Sequence, residues 1–511
     1  MKQQAIEQTQ FNEIKELISQ YAISQTVKER ILNFDLTEDL TTVLNYQQET
    51  NEALNIIKSN QSFPFMASEQ IDRLLMKIED GFVLEPKELI EMADFLKSIR
   101  QLKEFFMRNN QLAPTLANYA TKLQGFRNIE EVINLSIKNN QVTSDASRDL
   151  KKARQSIQKA QADINDKLHK FINHSANKSK IQEFLIIERD GVLTVPIKNS
   201  FKHSLKGRVI SESGKGSTVY MELDSTRELN QKLQLAKAEE TMLIYQILAN
   251  LTEEIAQELI SLNKTIQVIF SLEIIVAKAK YSHSINGEKV IINNKGIIHL
   301  IEAKHPLLGH AAVPLTISLG NEHCGLVITG PNSGGKTVVL KTIGLLTQLT
   351  MMGILIPANS KSQISTFEHI LVDIGDYQDF DNALSTFSGH MNNMGKILNT
   401  ANSHSLILVD EIGSGTEPTE GAALAIAILE ELVHKKAIVL ASTHYGEIKD
   451  FALNEPKFMT AAMAFDQETL QPRYQLLMNK VGESNGFFIA RKMNIAEAIL
   501  TRATDYLTKA N

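Results

Sequence analysis

The stretch LVITGPNSGGKTVVLKTIGLL, from Leu326 to Leu346, constrains this chain more than any other. An apolar run ends in GPNSGGKT (Gly330 to Thr337), which fits G-x-x-x-x-G-K-[ST], and an amphipathic run follows. A strand must therefore meet a helix through a loop whose glycines let backbone N–H groups turn inward. Such a loop at a helix N-terminus is a phosphate cradle. Gly330, Pro331, Asn332, Ser333, Gly334 and Gly335 form it. Lys336 is placed to reach the β- and γ-phosphates, and Thr337 to offer its hydroxyl to Mg2+. A chance glycine-rich turn would lack the flanking strand and helix patterns.

Much of the chain precedes this loop. With 511 residues it is too long for one ordinary core, and several domains are expected. Only 11 prolines over that length favour long helices. The net charge of −6 means that a polyanion must be met by local basic patches. The single cysteine, Cys324, excludes an intramolecular disulfide or a cysteine-based zinc site, and beside an apolar strand it reads as a small core residue. No apolar run reaches about 18 residues without a charge, and the N-terminus lacks a signal-peptide core, so no membrane span and a cytoplasmic location are expected.

Residues 1–144 read as a helical core domain. Phe11, Ile14, Leu17, Ile18 and Tyr21 make one amphipathic face, and SEQIDRLLMKIEDG offers Ser68 as N-cap and Gly81 as stop. In 145–180, a first lever helix, Leu150, Ile157, Ile164 and Phe171 stand seven apart, a short coiled-coil-like seam. Residues 181–223 change period into β-branched runs broken by glycines, a module of about four strands. It carries Lys198, Lys202, Lys206, Arg208 and Lys215 against Glu212 alone between Gly191 and Tyr220. From Asp224 to Ser282 there is neither Gly nor Pro, and Ser225 with Glu228 fits a capping box, so returning lever helices fill 224–285. A helix of about 35 residues extends roughly 50 Å. A basic β-module between two such helices makes more sense as a grip on nucleic acid than as a stability device, the alternative being a structural or protein-binding tip. Residues 286–511 alternate apolar strands with helical patterns, an α/β domain with a mostly parallel sheet. The expected fold class is multidomain: an all-α core and long lever helices with a small inserted β clamp, then an α/β P-loop ATPase domain.

SLILVDEIGSGT supplies an acid site for the phosphate loop. A buried strand delivers Asp410 to its end to complete a Mg2+ shell, and Glu411 follows, placed to orient or deprotonate an attacking water. In IVLASTHYGEI a strand ends at Thr443-His444, where a histidine can sense the γ-phosphate. Ser385 and Thr386 stand at a helix start, where a hydroxyl and free N–H groups bind anions or merely cap the helix.

The succession HPLL, VITGPNSGGKTVVLKTIGLL, IGDYQDFDNALSTFSGHM, LVDEIGSGTEPTEGAALAIAILE, STHYGEIK and VGESNGFFIARKM resembles the MutS family of ABC-type ATPases. It is most similar to the second bacterial subfamily, MutS-two, whose members lack the mismatch-reading domain. The resemblance implies that Asn332, Gly335, Lys336 and Thr337 hold phosphate and Mg2+. It gives Asp410 and Glu411 the second metal-and-water motif and His444 the switch role. By the same resemblance Gln378 couples nucleotide state to the levers, and Ser385 reaches across a dimer to the partner's nucleotide. NGFFIARKM is similar to a helix that builds the dimer interface. ATP and Mg2+ are the implied cofactors, and a homodimer with composite sites closing clamps on double-stranded or branched DNA is the implied machine. Full-length members continue into an Smr nuclease domain that nothing here resembles, so nuclease activity is not expected. The same subfamily is also linked to stalled, collided ribosomes, which leaves rRNA and ribosome as the alternative partner.

Overall fold

Strands buried on both faces read as unbroken apolar runs. Gly325–Thr329, Ser405–Val409 and Ile438–Ser442 are buried at every position. In the computed structural model they form the centre of a six-stranded sheet. The structure describes residues 2–66, 69–331, 334–375, 383–466, 471–482, 490–491 and 493–510. The chain forms two compact units. One comprises Met1–Phe65, Glu104–Lys122 and Gln267–Asn511, the other Met66–Lys103 and Leu123–Ile266. These units cut across the linear segments expected from sequence, because helical pieces on both sides of residue 66 join different cores. The protein is helix-rich, with several sheets.

In the first unit the sheet order is His369–Asp373, Ser405–Val409, Ile438–Ser442, Gly325–Thr329, Phe458–Phe465, Pro472–Met478. The first five strands are parallel and the last is antiparallel. Parallel neighbours need crossover helices, which Lys336–Met351, Ala383–Thr400 and Pro418–His434 provide. The carboxyl ends of the strands consequently share one edge, where ligands of open α/β sheets are bound. Smaller strands, Ile291–Asn293, Gln363–Ser365, Ile298–Ala303 and Leu315–Leu319, make a separate sheet.

The Leu259–Ser284 helix is long and apolar enough to cross a membrane, with a mean hydropathy of 1.6 in its most apolar window, yet it packs as a core helix. Glu273 is buried and accepts bonds from the N–H groups of Ile23 and Ser24 at 2.6 and 2.7 Å, so it caps the Gln25–Leu32 helix from outside. Lys278 is buried as well, bonded to the carbonyl of Met352 at 2.8 Å.

In the second unit, Arg148–Asn173 and Asp224–Gln257 run antiparallel, tied by Arg154 to Glu240 at 2.7 Å and by Lys167 to the carbonyl of Ser225 at 3.0 Å. The seam of the first helix is Leu150, Ala153, Ile157, Ala160, Ile164, Leu168 and Ile172. Phe171, expected to close it, is only half-buried and Ile172 takes its place. A straight helix drifts from a strict seven-residue repeat, and at the fourth position of the repeat the buried residue has moved on by one. Four antiparallel strands, in the order Ile187–Arg189, Val192–Lys198, Thr218–Leu223, Gly207–Glu212, lie between these helices in sequence. Val195, Ile197, Val219 and Met221 share one core with Ile164, Leu168 and Leu233.

Two end signals resolve differently. Gly81, with φ of 80°, closes the Glu69–Glu79 helix, where Phe82 N–H reaches Lys77 and Gly81 N–H reaches Ile78. The capping box of Ser225 and Glu228 does not form. The helix starts at Asp224, straight out of the preceding strand, with Leu223 at the cap position and Asp224 paired to Arg227 at 2.6 Å. Ser68 lies outside the described residues.

Candidate functional site

The carboxyl edge of the six-stranded sheet gathers the sequence-predicted residues that the structure describes. Backbone bonds lace the loops there: Thr443 N–H to Ile328, Ile412 N–H to Ser442, and Asp410 N–H to Asp373. The loop after Gly325–Thr329 needs its glycines. Gly330 has φ of 131° and Gly335 of 93°, and a Cβ on Gly335 would stand 3.0 Å from the ring of Tyr474. Gly334 N–H closes a turn on Pro331 at 2.9 Å. Asn332 and Ser333 lie outside the described residues.

Lys336 opens the following helix and is 2% exposed, its Nζ donating to the carbonyl of Gly330 at 2.7 Å. Burial holds its pKa below the ordinary lysine value, against the opposing pull of Glu411 and Asp410 and with a further push from Lys449. Thr337 Oγ1 donates to Asp410 Oδ2 at 2.5 Å. Ser442 donates to the other carboxylate oxygen and accepts from Glu411 N–H at 2.9 Å. Hydroxyls and a carboxylate are the hard oxygen donors that Mg2+ selects, so this set fits the ion. Glu411 has φ of 47°, rare for a residue with a Cβ. Such backbone costs on the order of 1–3 kcal/mol and persists only where surroundings impose it. Here the Ser442 bond does so. The Glu411 charge is felt by Lys336 and by Tyr445, whose pKa burial raises and Glu411 raises further.

His444 follows the next strand end. It is exposed, with its ring 4.3 Å from that of Tyr445, and makes no hydrogen bond to a described residue. Gln378 lies outside the described residues. Ser385 lies in the Ala383–Thr400 helix, and its side chain is outside the described set.

Several partners were not legible as motifs. Ser442 is the last residue of a core strand and carries no motif of its own. Buried Asp373 holds His390 Nδ1 and Asn393 Nδ2, each at 2.8 Å, and so ties the Ala383–Thr400 helix to the strand beside Asp410. A 270 Å³ cavity adjoins the loop, lined by His305, Leu308, Val313, Gly335, Val338 and Tyr474. Burial lowers the His305 pKa to about 4, so its ring is neutral there. His305 belongs to the HPLL stretch, but only the fold brings it to Gly335.

The basic residues of the four-stranded module differ from one another. Arg208 pairs at 3.0 Å with Glu222; the arginine side chain is 59% exposed and that of Glu222, which also holds Asn230 at 3.1 Å, is 1% exposed. Lys202 stands 4.0 Å from Glu212. Lys198 donates to the carbonyl of Ser179 at 3.0 Å and its N–H bonds Lys180, which brings Lys178 and Lys180 to the same end of the sheet. Lys206 and Lys215 are exposed. Cys324 is half-buried rather than in the core, because it lines a 930 Å³ cavity at the opposite, amino-terminal end of the strands.

The profile of MutS domain V matches residues 326–511. The Endonuclease MutS2 of Geobacillus sp. (strain WCH70) is 35% identical over 504 residues, covering 98% of this chain and 64% of that protein. The Putative endonuclease MutS2 of Bacillus subtilis (strain 168) is 35% identical over 513 residues, 99% of this chain and 65% of its own. The Endonuclease MutS2 of Clostridium botulinum (strain Eklund 17B / Type B) is 34% identical over 518 residues, 100% and 65%. The chain thus spans slightly under two thirds of the length of these relatives.

Proposed function

The chain belongs to the MutS2 family, and from that membership we propose that it is an ATP-hydrolysing protein that grips DNA as a nucleotide-driven dimer. The observation that carries the nucleotide half is the preassembled trio of Lys336, Thr337 and Asp410. A phosphate-loop lysine, a hydroxyl and a strand-end carboxylate stand together where the helix N-terminus attracts anions. Lys336 and the loop N–H groups bind phosphate. Thr337 and Asp410 would hold Mg2+, which would supply neutralisation of the phosphate charge. Glu411 orients the attacking water, and His444 moves onto the terminal phosphate when the site closes. The apolar cavity between His305 and Tyr474 takes the base, since a neutral imidazole and an aromatic ring offer flat faces without charge.

Ser385 completes the partner's site in a homodimer, and Gln378 reports nucleotide state to the helices. The four-stranded module is the clamp, with Lys198, Lys206 and Lys215 as its phosphate contacts and Lys202 in a lesser share. Arg208 takes a share as well, through an exposed guanidinium that also answers buried Glu222. Coupling requires only that ATP bind the closed dimer better than the open one. Branched or recombining DNA is the substrate class that a closing clamp would suit, and the protein acts in the cytoplasm. The test is competition among duplex DNA, branched DNA and ribosomes, with and without a non-hydrolysable ATP analogue. Nucleotide-dependent preference for branched DNA is expected. A ribosome preference would replace the DNA assignment, and nucleotide-indifferent binding by a monomer would overturn the machine.

A further inference from the structure

Lys449 is a cation in an unfavourable place. It sits on the first turn of the Gly446–Asn454 helix, where the helix dipole disfavours positive charge. It is half-buried, and burial holds its pKa below the ordinary lysine value, with neighbouring Asp450 the charge acting in its favour. Its polar contact is the carbonyl of Gly482, at a long 3.4 Å. Gly482 is packed on the phosphate loop: its N–H bonds Thr329 Oγ1 at 2.8 Å, and a Cβ built on it would stand 3.2 Å from Gly330 Cα. Lys336 anchors to that same Gly330 and feels the charge of Lys449 as repulsion. Two partly desolvated ammonium groups thus stand by the phosphate loop, each held by a backbone carbonyl, of Gly330 and of Gly482, two residues that pack on one another. A polyphosphate bound at this loop would offset the mutual repulsion of the two cations and offer each of them charge-assisted hydrogen bonds.

We infer that Lys449 is a second phosphate-binding cation, which grips the terminal phosphate of a nucleoside triphosphate opposite Lys336 and so separates triphosphate from diphosphate. This rests on the nucleotide-site reading given above. His444 alone accounted for terminal-phosphate sensing in the sequence. Lys449, one turn farther on, escaped notice because a lysine at the start of a surface helix carries no motif.

The experiment titrates ADP and a non-hydrolysable ATP analogue, both with Mg2+, onto the wild type and the Lys449→Met and Lys449→Arg variants. Lys449→Met should weaken the triphosphate analogue about tenfold, the effect of one charge-assisted hydrogen bond, with ADP changed less than about twofold. Lys449→Arg should keep most of the preference. Equal weakening of both nucleotides would make Lys449 a mere tether of Gly482 and overturn the inference, as would no weakening at all. Should the Met variant fail to fold, reductive methylation of wild-type Lys449 gives the same answer. The triphosphate should protect it more than ADP, and equal protection refutes the role. A wild type that bound neither nucleotide would instead overturn the nucleotide site itself, and the inference with it.

Discussion

Lys278→Met tests the physics of this core most directly. Lys278 is 3% exposed, and its ammonium lies 2.8 Å from the carbonyl of Met352, 4.4 Å from the ring centre of Phe34 and 4.6 Å from that of Tyr46. Burial pushes its pKa from 10.5 to about 8, with partial relief from Glu49. A shift of that size is worth about 3 kcal/mol against the charged form, at about 1.4 kcal/mol per unit. The aromatic faces favour the cation, which makes about 3 kcal/mol a ceiling. Below about pH 8 the lysine is protonated whether folded or unfolded, so the penalty is present in full. Between about 8 and 10.5 only the unfolded chain keeps the proton, and stability therefore rises with pH. Methionine preserves length and removes the charge, so the variant lacks this rise. Near neutral pH, relief from desolvation is offset by the lost hydrogen bond and ring contacts, about 1 kcal/mol or somewhat more each. The decisive quantity is the slope. Melting curves of both proteins from pH 7 to 10.5 should separate as pH rises, the wild type gaining on the variant. Lys336 and Lys449 also titrate early but are common to both proteins and cancel. A wild type–variant difference that stays constant over that range would refute the reasoning.

Lys336→Ala should weaken ATP binding roughly 10- to 100-fold by equilibrium titration, the loss of a hydrogen bond to a charged group, and unchanged affinity would remove the loop from the nucleotide site. Glu411→Gln should retain ATP while turnover falls by about 10²-fold or more, leaving a dimer that persists on a sizing column; wild-type turnover would clear Glu411 of its role. Ser385→Ala should lose turnover by itself and regain part of it when mixed with the Lys336 variant, since one good composite site can form; no recovery would argue against a shared site. Arg208→Ala should lower stability by about 1–2 kcal/mol, because Glu222 stays buried with only Asn230 to hold it. Lys206→Glu with Lys215→Glu should leave melting unaltered but reduce the salt dependence of DNA binding, and the opposite pattern would reverse the assignment of the two groups.

The legible parts of this chain were those in which a local pattern and the final environment coincide. A fully buried strand reads as an unbroken apolar run, so the Ser405–Val409 strand and the Asp410 it delivers were visible. The phosphate loop was visible because backbone geometry forces glycine at Gly330 and Gly335. What escaped depended on which elements become neighbours. Nothing in the local sequence around Ser442 says that its hydroxyl will meet Asp410 from an adjacent strand, and Asp373 with His390 is a pair across a crossover. Arg208 shows the same limit. As one of five cations in a glycine-rich module it looked like part of a surface grip, but register sets it opposite Glu222 in the next strand. Cross-strand pairs such as this are fixed by a bulge between Val209 and Ser211, which the sequence does not announce.

The cations of the first unit follow one electrostatic logic. The Lys336–Met351 helix has its positive end at the phosphate loop and its negative end at Met352. Lys278 sits at the negative end, where a cation is favoured and its desolvation is partly offset. Lys336 and Lys449 crowd the positive end, where their charge adds to the dipole instead of answering it. If the fold alone were being stabilised, a carboxylate would serve better at that end, as Glu417 does by capping Pro418–His434. A protein that instead accumulates desolvated ammonium groups around a helix N-terminus carries an electrostatic debt that an anion of high charge cancels, and the sharper that debt, the more steeply affinity should climb from diphosphate to triphosphate.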